Sequence, residues 1–205
     1  GQSNDYNYWR QLGNVGWSWK DVLPYFKKSE DFQFGENEFH GSGGPIKVEK
    51  IRATFKVLDL FLEAAEEFGY KKTEDFNNGN NEGMGYFPLT VKNGFRCSTA
   101  VGYLNPVKNR KNLKIITNAH TKNIGFENNK ATTVNYWINN ILTSVKANKE
   151  IILSAGTIGS PHILQASGIG PGELLKNNNI NVVKNHPGVG RNLTDHLMLR
   201  PVYKI

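Results

Sequence analysis

The densest group of residues with chemical potential is Glu150-Ile151-Ile152-Leu153-Ser154-Ala155 followed by Gly156-Thr157-Ile158-Gly159-Ser160-Pro161. The near-continuous apolar run predicts a strand buried on both faces of a parallel sheet. Two glycines between such a strand and a helix let the backbone approach a ligand, and the free N–H groups of a helix N-terminus favour negative charge. Ser160 is placed to cap that helix and Pro161 to hold its first position, with the helix running from His162 to about Ala166. Together they predict a nucleotide- or phosphate-binding α/β layer; the same turn chemistry also serves packing alone.

Other reactive side chains are scattered. His40 sits in the Gly-rich loop His40-Gly41-Ser42-Gly43-Gly44-Pro45, and His120 and His186 lie near turns. With no carboxylate at ligand spacing, no metal site is expected. Cys97 is the one cysteine, which excludes an internal disulfide and a multi-thiolate metal centre. Its neighbour Arg96 would favour a thiolate, but a small residue ahead of a helix cap accounts for it better. Asn192-Leu193-Thr194 fits the N-glycosylation pattern but is expected to be buried. No Gly-x-Ser-x-Gly elbow is present, so Ser, His and Asp form no hydrolase triad.

Several elements must position these groups. Ser18 followed by Asp21 is a capping-box pattern opening a helix toward Lys27-Lys28, which Pro24 should shorten or kink. Ile46 to Glu49 alternates as a short strand. From Thr54 to Phe68 the period is helical, with Val57, Leu58, Phe61, Ala64, Ala65 and Phe68 on one face and Gly69 to end it. Thr73 to Gly85 reads as a long polar loop, and Ser98 as the cap of a short helix through Leu104 that Pro106 terminates. Lys114–Thr117, Thr121–Glu127, Thr132–Ile138 and Leu142–Ala147 are rich in β-branched and aromatic residues, and the last three are separated by Asn128-Asn129 and Asn139-Asn140. Asn tolerates the positive φ of tight hairpin turns, so a β-meander is predicted. A short helix after Gly172 and a strand over Ile180–Val183 complete the pattern.

The chain has 205 residues, 38% hydrophobic, 21% charged and 11% aromatic, which describes a folded chain rather than a disordered tail or a coiled coil. No apolar run reaches the roughly 20 residues of a membrane helix. The net charge of +7 raises nucleic-acid binding, but Lys occurs singly or in pairs beside Asn or Glu without an accompanying recognition motif. A solvated surface accounts for it. The chain opens on Gly1-Gln2-Ser3 rather than Met and stops in the strand-like stretch from Leu199 to Ile205, so both ends are expected to be cut.

The run from Gly156 to Gly170, Gly-Thr-Ile-Gly-Ser-Pro-His-Ile-Leu-Gln-Ala-Ser-Gly-Ile-Gly, resembles the second signature of the glucose–methanol–choline (GMC) flavin oxidoreductases at every defined position. Four further stretches resemble the same family in the same order. They are Gly13-Asn14 with Gly16-Trp17-Ser18-Trp19 and Val22-Leu23-Pro24-Tyr25-Phe26; His40-Gly41 with Gly43-Gly44-Pro45; Arg96-Cys97-Ser98-Thr99-Ala100 with Tyr103-Leu104; and Pro187-Gly188-Val189-Gly190 with Asn192-Leu193 and Asp195-His196. The Arg-Cys-Ser-Thr form is most similar to the insect glucose-dehydrogenase-like branch, where secretion is common.

The resemblance implies a mixed α/β fold, in which an FAD-binding domain with a parallel sheet and a β-meander is interleaved with an antiparallel-sheet substrate domain, and of which this chain is a fragment. It implies FAD as cofactor and an alcohol or sugar as small-molecule substrate, oxidised at a CH–OH carbon by hydride transfer to the flavin. By the same comparison residues 1–30 would be a flavin-proximal segment, 31–95 a substrate-domain portion, 96–195 an FAD-domain portion and 196–205 the start of a return to the substrate sheet. Thr121, where the family often has Val, would offer backbone contacts to the adenine end of FAD. Ala155 and Gly156 would lie along the dinucleotide, and Asn192 and Asp195 would support it. No Gly-x-Gly-x-x-Gly turn is present, and the resemblance places it upstream of Gly1. The catalytic His with its His or Asn partner would lie beyond Ile205, so no catalytic residue is expected here and His196 reads as structural. Two alternatives are a non-catalytic protein of the same ancestry and a basic nucleic-acid-associated domain.

Overall fold

The computed structural model describes residues 1–202 and 204, in two compact units, Gly1–Lys114 and Ile115–Ile205. In the first unit, α1 (Ser3–Gln11) is capped by Gln2 and Asp5. The Asn7 side chain accepts the Trp19 N–H (3.1 Å) and so ties α1 to α2 (Trp19–Ser29). The Ser18–Asp21 box forms as the spacing predicts, with the Ser18 N–H donating to Asp21 Oδ2 at 3.1 Å. Pro24 neither shortens nor ends α2, which continues for five residues beyond it. The chain then enters β1 (Glu30–Phe32), which pairs in parallel with β2 (Ile46–Val48).

Helix α3 (Lys56–Glu67) ends in a Schellman arrangement: the Gly69 N–H bonds the Glu66 carbonyl and the Tyr70 N–H bonds that of Ala65. Antiparallel pairing in this unit comes from the hairpin β3 (Val91–Lys92) with β4 (Phe95–Arg96) and from the bridge Glu49–Leu89. Ser98 caps the next turn through its hydroxyl, which accepts from Val101 at 3.4 Å, but residues 100–104 wind as a π-helical turn, closed by the Asn105 N–H on the Ala100 carbonyl.

The second unit is built on an antiparallel meander of β5 (His120–Glu127), β6 (Lys130–Ile138) and β7 (Ile141–Lys146). Asn128, Asn129, Asn139 and Asn140 have φ of 50°, 62°, 49° and 60°, the conformation two-residue hairpins require. The predicted strand at 114–117 does not join the sheet, which has three strands. After the meander come α4 (Gly156–Ala166), β8 (Ile169–Gly170), α5 (Gly172–Asn177) and β9 (Lys184–Asn185), with β8 and β9 parallel. Gly168 ends α4 with φ of 88°, and a Cβ there would stand 2.3 Å from the Asn181 carbonyl oxygen. Only glycine permits that approach. Because the Val183 N–H is bonded to the Gly168 carbonyl, the ladder forms at residues 184–185 rather than over the predicted Ile180–Val183.

Residues 151–154 form no strand, and Ile152 is 79% exposed. A parallel strand needs a neighbour to take its N–H and C=O groups, and none among the described residues lies beside this segment. The strand-like end has no ladder partner over Leu199–Val202 or at Lys204; Tyr203 and Ile205 lie outside the described residues.

The apolar face of α3 stays open, with Val57, Leu58 and Phe61 between 44% and 53% exposed. The accessible surface is 16,414 Å². Two separate folded domains of these sizes would expose about 11,600 Å² by the usual mass scaling. The excess marks surface that folded proteins ordinarily bury.

Candidate cofactor-facing site

In the second unit, α4 begins at Gly156 rather than at Pro161. The Ser160 hydroxyl, instead of capping the turn ahead of it, reaches back to accept the Ala155 N–H at 3.1 Å. Pro161 therefore lies inside the helix. Gly156 has φ of 83°, and a Cβ placed on it meets nothing within 4 Å. Its backbone conformation calls for glycine, and the space before it is free. The N–H groups of Gly156, Thr157 and Ile158 have no acceptor among the described residues. Three free donors at the positive end of a helix make a place for an anion.

Beside this turn runs a cleft of about 580 Å³ between α4 and residues 190–194. Thr157, His162 and Gln165 line one side, and Arg191, Asn192 and Thr194 the other. The Gln165 amide donates to the Val189 carbonyl (3.0 Å), which fixes the second wall against the helix. At the far end of α4, the Ser167 hydroxyl donates to the Ile163 carbonyl and accepts the Ile124 N–H at 2.8 Å, joining the helix to β5.

Of the residues singled out in the sequence, Asn192 lines the cleft with φ of 56°, and Asn192, Leu193 and Thr194 are exposed, not buried as the sequence predicts. Ala155 and Gly156 stand immediately before Thr157, at its edge. Asp195 lies one residue past Thr194 and accepts the His196 N–H at 2.8 Å. Thr121 is half-buried on β5, paired with Tyr136, and is not part of the cleft wall. Sequence reasoning missed Arg191, a cation suited to phosphate; its position beside Asn192 in the Pro187–His196 motif was the available signal. It also missed the surroundings of His40 in the first unit. Glu30 and Asp75 both reach the ring, at 2.9 and 3.0 Å, whereas the carboxylates nearest it in the sequence, Glu36 and Glu38, do not. Separations of 10 and 35 residues hide such partners from any local pattern.

A glycine-started helix with free N–H groups beside a cleft is compatible with the phosphates of a dinucleotide. The GMC oxidoreductase family matches residues 1–198, and the chain belongs to that family. FAD is the cofactor of the family. The chain is 42% identical over 200 residues to oxygen-dependent choline dehydrogenase of Pectobacterium atrosepticum, covering 96% of this chain and 36% of that protein. The enzyme of the same description from Pseudomonas putida is 43% identical over 204 residues, covering 97% and 36%. Among solved structures, an FAD-dependent oxidoreductase from Chaetomium thermophilum superposes with a TM-score of 0.88 at 34% identity, over 95% of this chain and 36% of that one. Pyridoxine 4-oxidase from Mesorbium loti gives 0.84 at 29% identity, over 91% and 37%. The chain thus spans little more than a third of the length of these relatives.

Proposed function

We propose that the complete protein is an FAD-dependent oxidoreductase acting on the CH–OH group of a small alcohol, and that residues 155–195 contribute part of its FAD site. The observation that carries this reading is the start of α4, where Gly156 leaves open space before three unpartnered N–H groups. Those residues fit the phosphate portion of a dinucleotide. When bound, FAD supplies the acceptor for the hydride that leaves the alcohol carbon.

This chain's own residues have simpler tasks. The N–H groups of Gly156, Thr157 and Ile158 hold negative charge at the helix end. Arg191 adds a full positive charge beside them, and Asn192 and Asp195 support the same wall. Thr121 offers backbone groups from β5. In this reading residues 31–95 belong mainly to the substrate domain, 96–195 mainly to the FAD domain, and 196–205 lead back toward the substrate sheet. The proton acceptor for the alcohol lies in the part of the protein outside this chain.

An alcohol of the choline type is the first substrate to assay, on the 42–43% identity to choline dehydrogenases. A sugar is the second, on the Arg96-Cys97-Ser98-Thr99 form and its likeness to the insect glucose-dehydrogenase-like branch. The test is flavin retention by the complete polypeptide. Gly156→Val strains a positive φ and fills the open space, and should weaken FAD binding at least tenfold, equivalent to about 1.4 kcal/mol. Arg191→Gln should cost a similar factor. Unchanged retention in both variants would remove the cleft from the cofactor site.

A further inference from the structure

His40 is 2% exposed, and its ring stacks on Phe32 with centroids 3.8 Å apart. Nδ1 faces Glu30 Oε2 at 2.9 Å and Nε2 faces Asp75 Oδ2 at 3.0 Å. A neutral imidazole carries one N–H and can donate to one carboxylate only; donation at both nitrogens needs the imidazolium. The two carboxylates are held independently. Glu30 opens β1 and its Oε2 also accepts the Gly41 N–H at 3.0 Å, whereas Asp75 lies in the irregular segment 73–85 and its Oδ1 accepts the Asn77 N–H at 2.8 Å. Three nearby charged side chains are engaged elsewhere: Lys27 of α2 with Glu36 and the Asn37 carbonyl, Asp31 with Lys47, and Glu74 with Lys50.

The same segment walls a cavity of about 500 Å³. Tyr6, Trp19, Phe26 and Phe39 line it from the body of the unit, and Phe76 and Asn77 from the segment itself. We propose that His40, held as the imidazolium, latches residues 73–85 as a strap over this cavity, and that loss of its proton releases the strap. The bond that yields is the one to Asp75. Glu30 is fixed by the β1–β2 ladder, so a neutral ring keeps its single N–H on that side and presents a lone pair to Asp75. The inference rests on the first unit alone and does not depend on the FAD reading.

The test uses the complete polypeptide, with ¹⁵N resonances of the His40 ring and hydrogen-exchange protection factors of residues 73–85 read against the meander at 120–146. In the wild type, both ring nitrogens should be protonated while the strap is protected, and protection should fall at least tenfold as the ring signals report proton loss. His40→Gln should lower strap protection at least tenfold and leave the meander unchanged. Asp75→Asn should keep the strap protected while the ring is neutral, because its amide can donate to the bare Nε2. A neutral ring under a protected strap, or strap protection unchanged in His40→Gln, would overturn the latch. If His40→Gln lowers meander protection as well, the ring resonances and the wild-type exchange profile decide the matter alone.

Discussion

Both units use close glycine approaches, Gly41 on the Lys27 carbonyl and Gly85 on the Thr73 carbonyl in the first, but the first adds charged side chains to hold its irregular segments. In Gly1–Lys114 the fastenings are charged side chains: Glu30 and Asp75 on His40, Lys47 on Asp31, Lys50 on Glu74. Ile115–Ile205 relies on backbone approach and neutral hydrogen bonds without them. Gly168 lets the carbonyl of Asn181 come within reach of where a Cβ would be, and Ser167 accepts the Ile124 N–H of edge strand β5. The only ion pair of that unit among the described residues, Lys146–Glu127, is exposed and 3.8 Å long. Side-chain charge tolerates shape change but answers to pH; backbone approach ignores pH but tolerates no added atom.

The largest effect should come from Gly168→Ala. A methyl group 2.3 Å from a carbonyl oxygen, at φ of 88°, must displace the 180–185 segment and should destabilise the second unit by roughly 3 kcal/mol. Urea unfolding followed by meander tryptophan fluorescence measures it, and a loss below about 1 kcal/mol would mean the approach is soft. Next is Ser167→Ala, which leaves the Ile124 N–H without its acceptor at a buried position and should cost about 1–3 kcal/mol.

Acid should act on the other unit. The Ser18 hydroxyl holds Asp21 below the ordinary carboxylate range, and the Lys47 ammonium with the Gly43 N–H does the same for Asp31. A carboxylate whose folded value is lowered adds stability that is present above its unfolded value, near 4, and is lost as pH falls through the folded one. Lowering pH from about 5 to about 2 should therefore loosen α2 and the β1–β2 pair before the meander, as amide NMR signals would record. Simultaneous loss would contradict the contrast. The smallest effect belongs to Lys146→Gln, an exposed pair expected to change stability by less than about 0.5 kcal/mol.

What the sequence made legible follows the same division. Short-range chemistry was readable: the Asn-Asn hairpins, the Ser18–Asp21 cap and the Gly69 helix end each depend on residues within a few positions of one another. The cofactor turn was readable in type and motif but misplaced by five residues, because Ser160 reaches back to Ala155 rather than capping Pro161. Residues 151–154 were not readable as they stand, since apolar content predicts a buried strand only where neighbouring strands supply the ladder. The His40 latch was hidden because its partners come from separate segments, and α1, with no buried residue, has no apolar stripe to announce it.

The family motifs supplied Asn192 and Gly156, while only geometry added Arg191 to the same wall. The measurement that tests this most directly is the visible spectrum of the complete polypeptide, purified as wild type and as Gly156→Val. The wild type should carry FAD, with its flavin band bleached on addition of an oxidisable alcohol under anaerobic conditions, and the variant should remain folded while losing at least nine-tenths of the flavin. Equal flavin content and equal bleaching in both would contradict the assignment of the α4 turn to the cofactor site.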